Sequence, residues 1–259
     1  MKRIRVIPAL LIQQGGLVKS IKFKDHKYVG DPINAVRIFN EKEVDEIVIL
    51  DISATKERRS PDLAVIREIA SEAFMPLGYG GGITQLSEIK ELISAGVEKV
   101  ILNTAAFTNP SLVRDGSKYV GNQSIVVSID VKKNFWGKYR VFVENGTRDT
   151  GLDPVEYARQ MANYGAGELI LNSVERDGTF SGYDTALIKA VSASVDIPVV
   201  ALGGAATVED FAAAVQYGAS AVSAGSMFVF QLPHRAVLIS YPTQKELKEK
   251  LFSQLYIKR

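Results

Sequence analysis

Short apolar runs alternate with amphipathic stretches along the chain. The runs are rich in Val, Ile and Leu and lack the polar alternation of strands that face water on one side. This pattern predicts strands of a parallel sheet that are buried on both faces. We place these strands at Arg5–Leu11, Glu46–Asp51, Met75–Gly80, Lys99–Asn103, Ser124–Asp130, Glu168–Asn172, Pro198–Ala201 and Ala221–Ala224.

The amphipathic stretches between the runs carry helix start signals. Asp31-Pro32 and Asp153-Pro154 each place an N-cap carboxylate before a first-turn proline, and Ser60-Pro61 and Asn109-Pro110 predict two more starts. Eight strand–helix units in about 250 residues are typical of the α/β class, as a (β/α)8 TIM barrel with functional groups on the loops after the strands. A doubly wound open sheet is the alternative. No linker divides the chain, so we expect one domain over residues 1–259.

Several short motifs recur 122 residues apart, which indicates an internal repeat. The corresponding motifs are Asp31-Pro32 and Asp153-Pro154, Met75-Pro76 and Ile197-Pro198, Gly81-Gly82 and Gly203-Gly204, Gly96 and Gly218, and Asn103-Thr104 and Gly225-Ser226. Two copies of a half-barrel, each with four strand–helix units, explain this spacing. The repeat therefore favours the barrel over the open sheet.

Composition excludes several classes of function. With 46% hydrophobic and 23% charged residues, the chain has the make-up of a soluble globular protein, and no stretch approaches the ~20 apolar residues of a membrane span. A net charge of +2 gives no general signal for binding nucleic acid. No cysteine is present, and His26 and His234 are the only histidines. We therefore expect no metal centre and no cofactor, and a reducing cytoplasm as the compartment.

Two segments between predicted strands are long. Gln13–Gly30 follows the first strand and contains Lys19, while Val131–Leu152 follows the fifth. The alternating run Tyr139 to Val143 in the second segment predicts a small hairpin. Loops longer than about 12–15 residues in a compact barrel are more often functional than idle. Lys19 could reach over a bound anion, and a solvated loop lysine explains it equally well.

Two groups of residues resemble anion cradles. In the first, Gly81 and Gly82 follow strand three and Asn103-Thr104 follow strand four; Gly203-Gly204 and Gly225-Ser226 repeat the arrangement in the second half. Glycines let backbone N–H groups approach a phosphate, and hydroxyl or amide side chains add donors. Glycines that only form tight turns are the alternative. Two cradles at the same spacing favour a phosphorylated small molecule with a phosphate at each end.

Carboxylates end several predicted strands, where they could act as acid or base. Asp51 ends strand two and Asp130 ends strand five, while Asp177 follows strand six, before Gly178. A structural hydrogen-bonding role for Asp51 and a turn-forming role for Asp177 are equally consistent with the sequence. Asp130 closes a run from Ile125 to Ile129 that is apolar except for Ser128, which favours a functional role.

Four charged residues precede apolar strands at the opposite end of the predicted barrel: Arg5, Glu46, Lys99 and Glu168. Their side chains could form a ring of two positive and two negative groups, which is costly to bury unless they are paired. Periodicity alone favours four unrelated surface charges.

Several motifs together resemble one family over nearly the whole chain, the cyclase subunit of imidazole glycerol phosphate synthase, HisF. They are Leu50-Asp51-Ile52, Gly80-Gly81-Gly82-Ile83, Asn103-Thr104-Ala105-Ala106, Arg176-Asp177-Gly178-Thr179, Gly182-Tyr183-Asp184 and Gly203-Gly204. The resemblance implies a barrel that receives ammonia from a HisH-like glutaminase docked on its bottom face. Ammonia then reacts with a bisphosphorylated ribulosyl aminoimidazole carboxamide, giving imidazole glycerol phosphate and an aminoimidazole carboxamide ribotide in histidine biosynthesis.

The same resemblance assigns roles to single residues. The two cradles match the family's two phosphate sites, Lys19 its mobile-loop lysine, and Asp130 the second of its two catalytic aspartates. The family's ammonia gate, a ring of Arg, Glu, Lys and Glu, falls on the four charges described above. The resemblance therefore favours the ring over unrelated surface charges.

The position of the first catalytic aspartate is occupied by Leu11, which can neither donate nor accept a proton. Because general acid–base help contributes typically ~10²–10⁴-fold, we expect ordinary cyclisation to be badly impaired. The departure resembles a branch of the family found with surface-polysaccharide genes, which supplies ammonia to a sugar amidotransferase making acetamidino sugars. A non-catalytic ammonia conduit that activates the glutaminase is an alternative. A HisA-like sugar-phosphate isomerase is another, although it too needs two acid–base groups.

Overall fold

The computed structural model describes residues 4–256, with residues 1–3 and 257–259 of the predicted domain outside the described part. Eight parallel strands form its centre. They are β1 (Arg5–Gln13), β2 (Ile47–Asp51), β3 (Leu77–Gly80), β4 (Lys99–Leu102), β5 (Ile125–Lys133), β6 (Glu168–Ser173), β7 (Val199–Leu202) and β8 (Ala221–Ala224). Each predicted strand is present, and the predicted bounds of seven strands are displaced by one to three residues at an end.

The sheet closes on itself. Every strand pairs in parallel with the next along the chain, and β8 pairs with β1 through Arg5↔Ala221 and Val6↔Val222. A doubly wound sheet would leave two open edges at this point. The (β/α)8 barrel is therefore confirmed and the open-sheet alternative is wrong.

Helices cross between the strands on the outside of the barrel. They are α1 (Pro32–Glu41), α2 (Leu63–Glu72), α3 (Leu86–Ser94), α4 (Ser111–Val120), α5 (Pro154–Asn163), α6 (Thr185–Ser192), α7 (Val208–Gln216) and α8 (Gln244–Leu247). A π-helical turn, Lys248–Phe252, and the segment Ser253–Tyr256 continue α8, and short helices occur at Ala54–Glu57, Thr104–Thr108 and Ser226–Val229. A single 3-10 turn, Asn122–Ser124, precedes β5. None of these helices, within the described part of the chain, has the length and apolarity needed to cross a membrane.

Two of the four predicted helix starts are confirmed. The carboxylate of Asp31 accepts a hydrogen bond from the backbone N–H of Asn34, and that of Asp153 accepts from Val155 and Glu156. The start predicted at Ser60-Pro61 is wrong, because Asp62 caps α2 and the Ser60 hydroxyl instead donates to Glu88.

The start at Asn109-Pro110 is also wrong as a cap. Pro110 holds the N-cap position of α4, and no side chain caps that helix end. The Asn109 side-chain oxygen accepts from the Ser111 hydroxyl rather than from a backbone N–H of the first turn. The residue before each of these two prolines therefore lies one or two residues ahead of the true N-cap, which is Asp62 in α2 and Pro110 in α4.

The segment predicted as a loop after β1 is largely strand. Gly16–Ile21 pairs antiparallel with the end of β1 and with Lys24–Gly30, so the chain forms a hairpin above the barrel. The hairpin predicted after β5 is present: Tyr139–Val143 pairs antiparallel with the end of β5, and Arg148–Asp149 adds a short third strand. A further small hairpin, Phe230–Gln231 with Ala236–Val237, follows β8.

The apolar core is divided between the outside and the inside of the barrel. The larger cluster packs the helices against the outward faces of the strands, with fully buried Phe39 and Phe211 among its largest members. A separate inner cluster fills the barrel with small and branched side chains. Its members are Ile7, Ala9, Val48, Ile101, Val126, Ile170, Val200, Leu202 and Ala221. This division is what a strand pattern without polar alternation requires.

The repeat of 122 residues is visible in the structure. Helix α1 corresponds to α5 residue for residue, β3 to β7, and α3 to α7. The capping box of α3, Gln85 with Glu88, recurs in α7 as Thr207 with Asp210. The two halves therefore share local geometry as well as spacing.

Candidate active site

A cavity opens at the carboxyl ends of the strands, between the hairpin after β1 and the one after β5. Polar residues that line it come from several strands and loops. They are Lys19, Ser20, His26, Asp51, Thr55, Asn103, Thr104, Ser128, Asp130, Asn145, Asn172, Asp177 and Ser226. Leu11, Leu50 and Phe23 add apolar surface to the walls of the cavity. The structure thus gathers most of the predicted cradle and carboxylate residues in one place.

Asp130 lies at the floor of the cavity and is buried. Its two carboxylate oxygens accept hydrogen bonds of 3.2 Å from the side-chain amides of Asn172 and Asn103. Burial first, and then the nearby charge of Asp177, raise the pKa of Asp130 to about 7 against the lowering effect of the two amide hydrogen bonds and of Lys132. A carboxyl group with this pKa can both take and give a proton near neutral pH.

Lys19 and Asp177 form a second titratable pair in the cavity. The Lys19 amine is buried and donates to the backbone carbonyl of Ala9, and burial lowers its pKa to about 8. Burial raises the pKa of Asp177 to about 6, opposed by the charge of Lys19 and by the Ser20 hydroxyl, which donates to it at 3.4 Å. Lys19 is therefore neither solvated nor on a freely extended loop in this structure.

Asp51 lines the cavity, but its carboxylate already has several partners. One oxygen accepts from the backbone N–H groups of Ser53 and Ala54 and from the Ser53 hydroxyl, and the other accepts from Arg59 at 3.0 Å. The carboxylate therefore stabilises the turn after β2. A contact between Asp51 and a ligand stays a prediction.

The predicted cradle residues differ in their access to the cavity. Gly81, Gly82, Asn103 and Thr104 of the first cradle line it, as do Gly225 and Ser226 of the second. Gly178, Gly203 and Gly204 are not among the lining residues, and each packs closely against another backbone segment. The binding of phosphate at either cradle stays a prediction.

Close backbone packing accounts for at least two of these glycines. A Cβ atom on Gly82 would lie 2.3 Å from the carbonyl oxygen of Arg59, and one on Gly204 would lie 2.3 Å from that of Gly182. Both residues also have positive φ, +71° and +108°, where side chains are strained. The tight-turn explanation thus applies to them whether or not a phosphate binds.

Leu11 lies on β1 and lines the cavity, opposite Leu50 in the parallel register with β2. Its neighbour on the other side, in the hairpin, is Val18. Only Asp51, Asp130 and Asp177 bring carboxylates to the described cavity wall. The side of the cavity formed by β1 and β2 therefore offers no acid or base at position 11.

The four charged residues at the opposite end contact one another. Arg5 forms ion pairs with Glu46 and Glu168, and Lys99 reaches the same two carboxylates at 2.8 and 2.6 Å. Glu46 and Glu168 are almost completely buried. The interpretation as unrelated surface charges is wrong, since the four side chains form a closed ring at the amino ends of the strands.

Sequence reasoning missed Asn172, which holds Asp130 through its amide. Asn172 ends an apolar run in β6 just as Asp130 does in β5, and the two pair in register. The signal that pointed to Asp130 could have found it. Arg59, which pairs with Asp51, was missed because a single arginine in a loop carries no such signal. Across residues 4–256, no group of three or more His, Asp or Glu side chains is arranged to hold a metal ion.

Comparisons with known proteins bear on this arrangement. Residues 5–232 match a family described as histidine biosynthesis protein. The chain is 51% identical over 248 residues to a Pseudomonas aeruginosa protein provisionally named imidazole glycerol phosphate synthase subunit hisF2, covering 95% of this chain and 99% of that protein. It is 46% identical over 251 residues to the imidazole glycerol phosphate synthase subunit HisF of Endomicrobium trichonymphae, covering 97% and 93%. The HisF subunit of Thermococcus onnurineus is 43% identical over 248 residues, covering 95% and 94%.

Proposed function

The chain belongs to the HisF family of histidine biosynthesis proteins, and from this premise we propose that it is the ammonia-using subunit of a glutamine amidotransferase complex. In this proposal a HisH-like glutaminase docks at the amino ends of the strands and releases ammonia at the ring of Arg5, Glu46, Lys99 and Glu168. The observation that carries the proposal is this ring, whose buried carboxylates face two cations at one end of the barrel while the reactive cavity lies at the other.

The interior between the two ends supports transfer of neutral ammonia. The inner cluster is apolar, so a charged ammonium ion would lose its hydration there without compensation. Neutral ammonia loses much less on entering such a region. Asp130, with its pKa of about 7, lies where the interior meets the cavity and is the group we assign to proton transfer.

The cavity is suited to a phosphorylated small molecule. Gly81, Gly82 and Thr104 line the side of the cavity that follows β3 and β4. The opposite side has Lys19 from the hairpin after β1 and Gly225 and Ser226 after β8. A compound with a phosphate at each end would meet backbone N–H groups on one side and a lysine amine on the other. We assign four further residues to this ligand: Asp177, which lines the cavity, and Gly178, Gly203 and Gly204, which allow the close backbone packing of the neighbouring loops.

The leucine at position 11 bears on which compound accepts the ammonia. Without an acid or base at this position, cyclisation of the ribulosyl aminoimidazole substrate is expected to be slower by roughly 10²–10⁴-fold. We therefore infer that the complex delivers ammonia to a different acceptor, the sugar amidotransferase that makes acetamidino sugars for surface polysaccharides. The complex would act in the cytoplasm.

The test is reconstitution of the purified chain with a HisH-like glutaminase. We expect glutamine hydrolysis to be stimulated by the chain, with little cyclised product from the ribulosyl substrate. Leu11→Asp should raise cyclisation if the rest of the site is of the histidine type. Leu50→Asp is the matched control, since it places a carboxylate in the same cavity on the neighbouring strand. Turnover of the wild-type chain at a rate typical of the family would refute the role given to Leu11.

A non-catalytic conduit is the second candidate, and one observation favours it. Several polar groups of the first cradle are already satisfied within the protein: the Asn103 amide by Ser128 and Asp130, and the Thr104 hydroxyl by the backbone N–H of Glu144. Calorimetric titration with a bisphosphorylated sugar separates the two candidates. Saturable binding that is weakened by Ser226→Ala supports a ligand site, whereas no binding favours the conduit.

A further inference from the structure

The amine of Lys19 occupies an environment unlike that of any ion-paired lysine in this structure. The residue is only 5% exposed and lines the cavity, and its Nζ atom donates to the backbone carbonyl of Ala9. The carboxylate whose charge acts on Lys19 is that of Asp177, which lines the same cavity. A Cβ atom on Gly225 would lie 2.6 Å from Nζ, so a larger residue there would displace the amine from its present position.

These features are those of a nucleophilic amine. A lysine in water is protonated and unreactive near neutral pH. Burial of Lys19 disfavours its charged form, and this effect outweighs the opposing charge of Asp177, so the amine is more readily neutral. We propose that the Lys19 amine forms a covalent imine with a phosphorylated aldehyde or ketone bound in the cavity. That the carbonyl compound carries a phosphate rests on the function proposed above. That Lys19 forms an imine rests on the surroundings of Lys19 alone.

The step is balanced without any further reactant. The nitrogen lone pair of Lys19 attacks the carbonyl carbon and the C–O π bond opens, giving a carbinolamine after proton transfer from nitrogen to oxygen. Loss of the hydroxyl as water, with one proton supplied by a carboxylic acid and one returned from nitrogen, leaves the C=N bond. Asp177 and Asp130 line the same cavity and, with raised pKa values, can hold that proton near neutral pH.

Pyridoxal 5′-phosphate, a phosphorylated aldehyde, is a direct probe of this chemistry. The whole chain is incubated with it in a buffer without primary amines, reduced with borohydride and mapped by peptide mass spectrometry. We expect one reduced adduct per chain, on Lys19, and protection by inorganic phosphate. Lys19→Met should lose the adduct, and Lys19→Arg should lose it while keeping the positive charge.

Lys132 provides the matched control. Its amine also donates to a backbone carbonyl, that of Gly146, and burial lowers its pKa, but it does not line the cavity. Lys132→Met should leave the adduct on Lys19 unchanged. Thermal unfolding of each variant confirms that the chain remains folded.

The pH dependence of labelling distinguishes a reactive amine from an exposed one. The groups that line the cavity with Lys19 and titrate or carry charge are His26, Asp51, Asp130 and Asp177. With a pKa of about 8, half of the Lys19 amine is neutral at that pH, about 100-fold more than for an ordinary lysine of pKa ~10.4. Labelling of Lys19 should therefore reach half its maximum near pH 8.

Adducts spread over exposed lysines, or labelling of Lys19 no faster than theirs between pH 7 and 10, would overturn the proposal. The assay contains neither glutaminase nor ammonia. Its failure would therefore leave the ammonia-using function intact, and a failure to couple with a glutaminase would leave the labelling result unaffected.

Discussion

Replacing Asp130 by Asn should stabilise the protein above neutral pH. The carboxyl group is buried, and its pKa is raised from an ordinary 3.8 to about 7, first by burial. Because the folded chain holds the proton more tightly than the unfolded chain, folding stability falls as the pH rises from about 4 to about 7. Above about pH 7 the buried carboxylate is ionised, and its full destabilising effect is present. A shift of about 3 pKa units corresponds to about 4 kcal/mol, which is the upper limit of what the neutral side chain can recover.

The surrounding hydrogen bonds favour this outcome. At present Asn172 and Asn103 donate to the two carboxylate oxygens, while the side-chain oxygen of Asn172 is buried without a partner in the described structure. In Asp130→Asn, the new amide can accept from Asn103, and rotation of the Asn172 amide lets its oxygen accept from the new N–H group. The rotated Asn172 amide loses its own acceptor at residue 130, which costs about 1–3 kcal/mol, so the expected gain at pH 8 is about 1–3 kcal/mol.

Urea unfolding at pH 8 and pH 4.5 measures the effect. The stabilisation should be present at pH 8 and should shrink toward zero at pH 4.5, where wild-type Asp130 is protonated in the folded state. Asp196→Asn, at an exposed carboxylate, is the control for loss of one negative charge. Equal stability of Asp130→Asn and wild type at pH 8, or a difference that persists unchanged in acid, would refute the reasoning.

Two further perturbations test the barrel ends. Lys99→Met removes one of the two cations that contact the buried carboxylates of Glu46 and Glu168. We expect the free energy of unfolding in urea to fall by about 3 kcal/mol and glutaminase-dependent ammonia use to be lost. Arg37→Met, at an exposed pair, should leave stability near wild type, and equal losses in the two variants would contradict the burial of the ring. Gly204→Ala should lower the free energy of unfolding by about 3 kcal/mol, because the new Cβ atom would clash with the Gly182 carbonyl. Gly137→Ala, where φ is positive but the space is open, should lower it by about 1 kcal/mol. Similar unfolding midpoints for the two variants would contradict this reasoning, because they would mean that the Gly182 backbone can move aside.

The order and type of the barrel elements follow from local patterns in the amino-acid sequence. Strands buried on both faces are mostly apolar, and the consecutive residues Ile125, Val126 and Val127 meet this requirement. The repeat of 122 residues indicates two half-barrels from local signals as well, because Asp31 and Asp153 each accept a hydrogen bond from the backbone of their own helix. The family motifs identified Leu11 as a departure without any coordinates.

Contacts between side chains that lie far apart along the chain depend on the closed barrel. Arg5 and Glu168 lie 163 residues apart in sequence and form an ion pair because the barrel closes, a contact that no local pattern encodes. The register of β5 and β6 sets Asn172 beside Asp130, and the folding of the hairpin after β1 buries the Lys19 amine. Proton affinity depends on burial and neighbouring charge. The chemistry of this site is therefore a property of the closed barrel, while its framework is a property of the sequence.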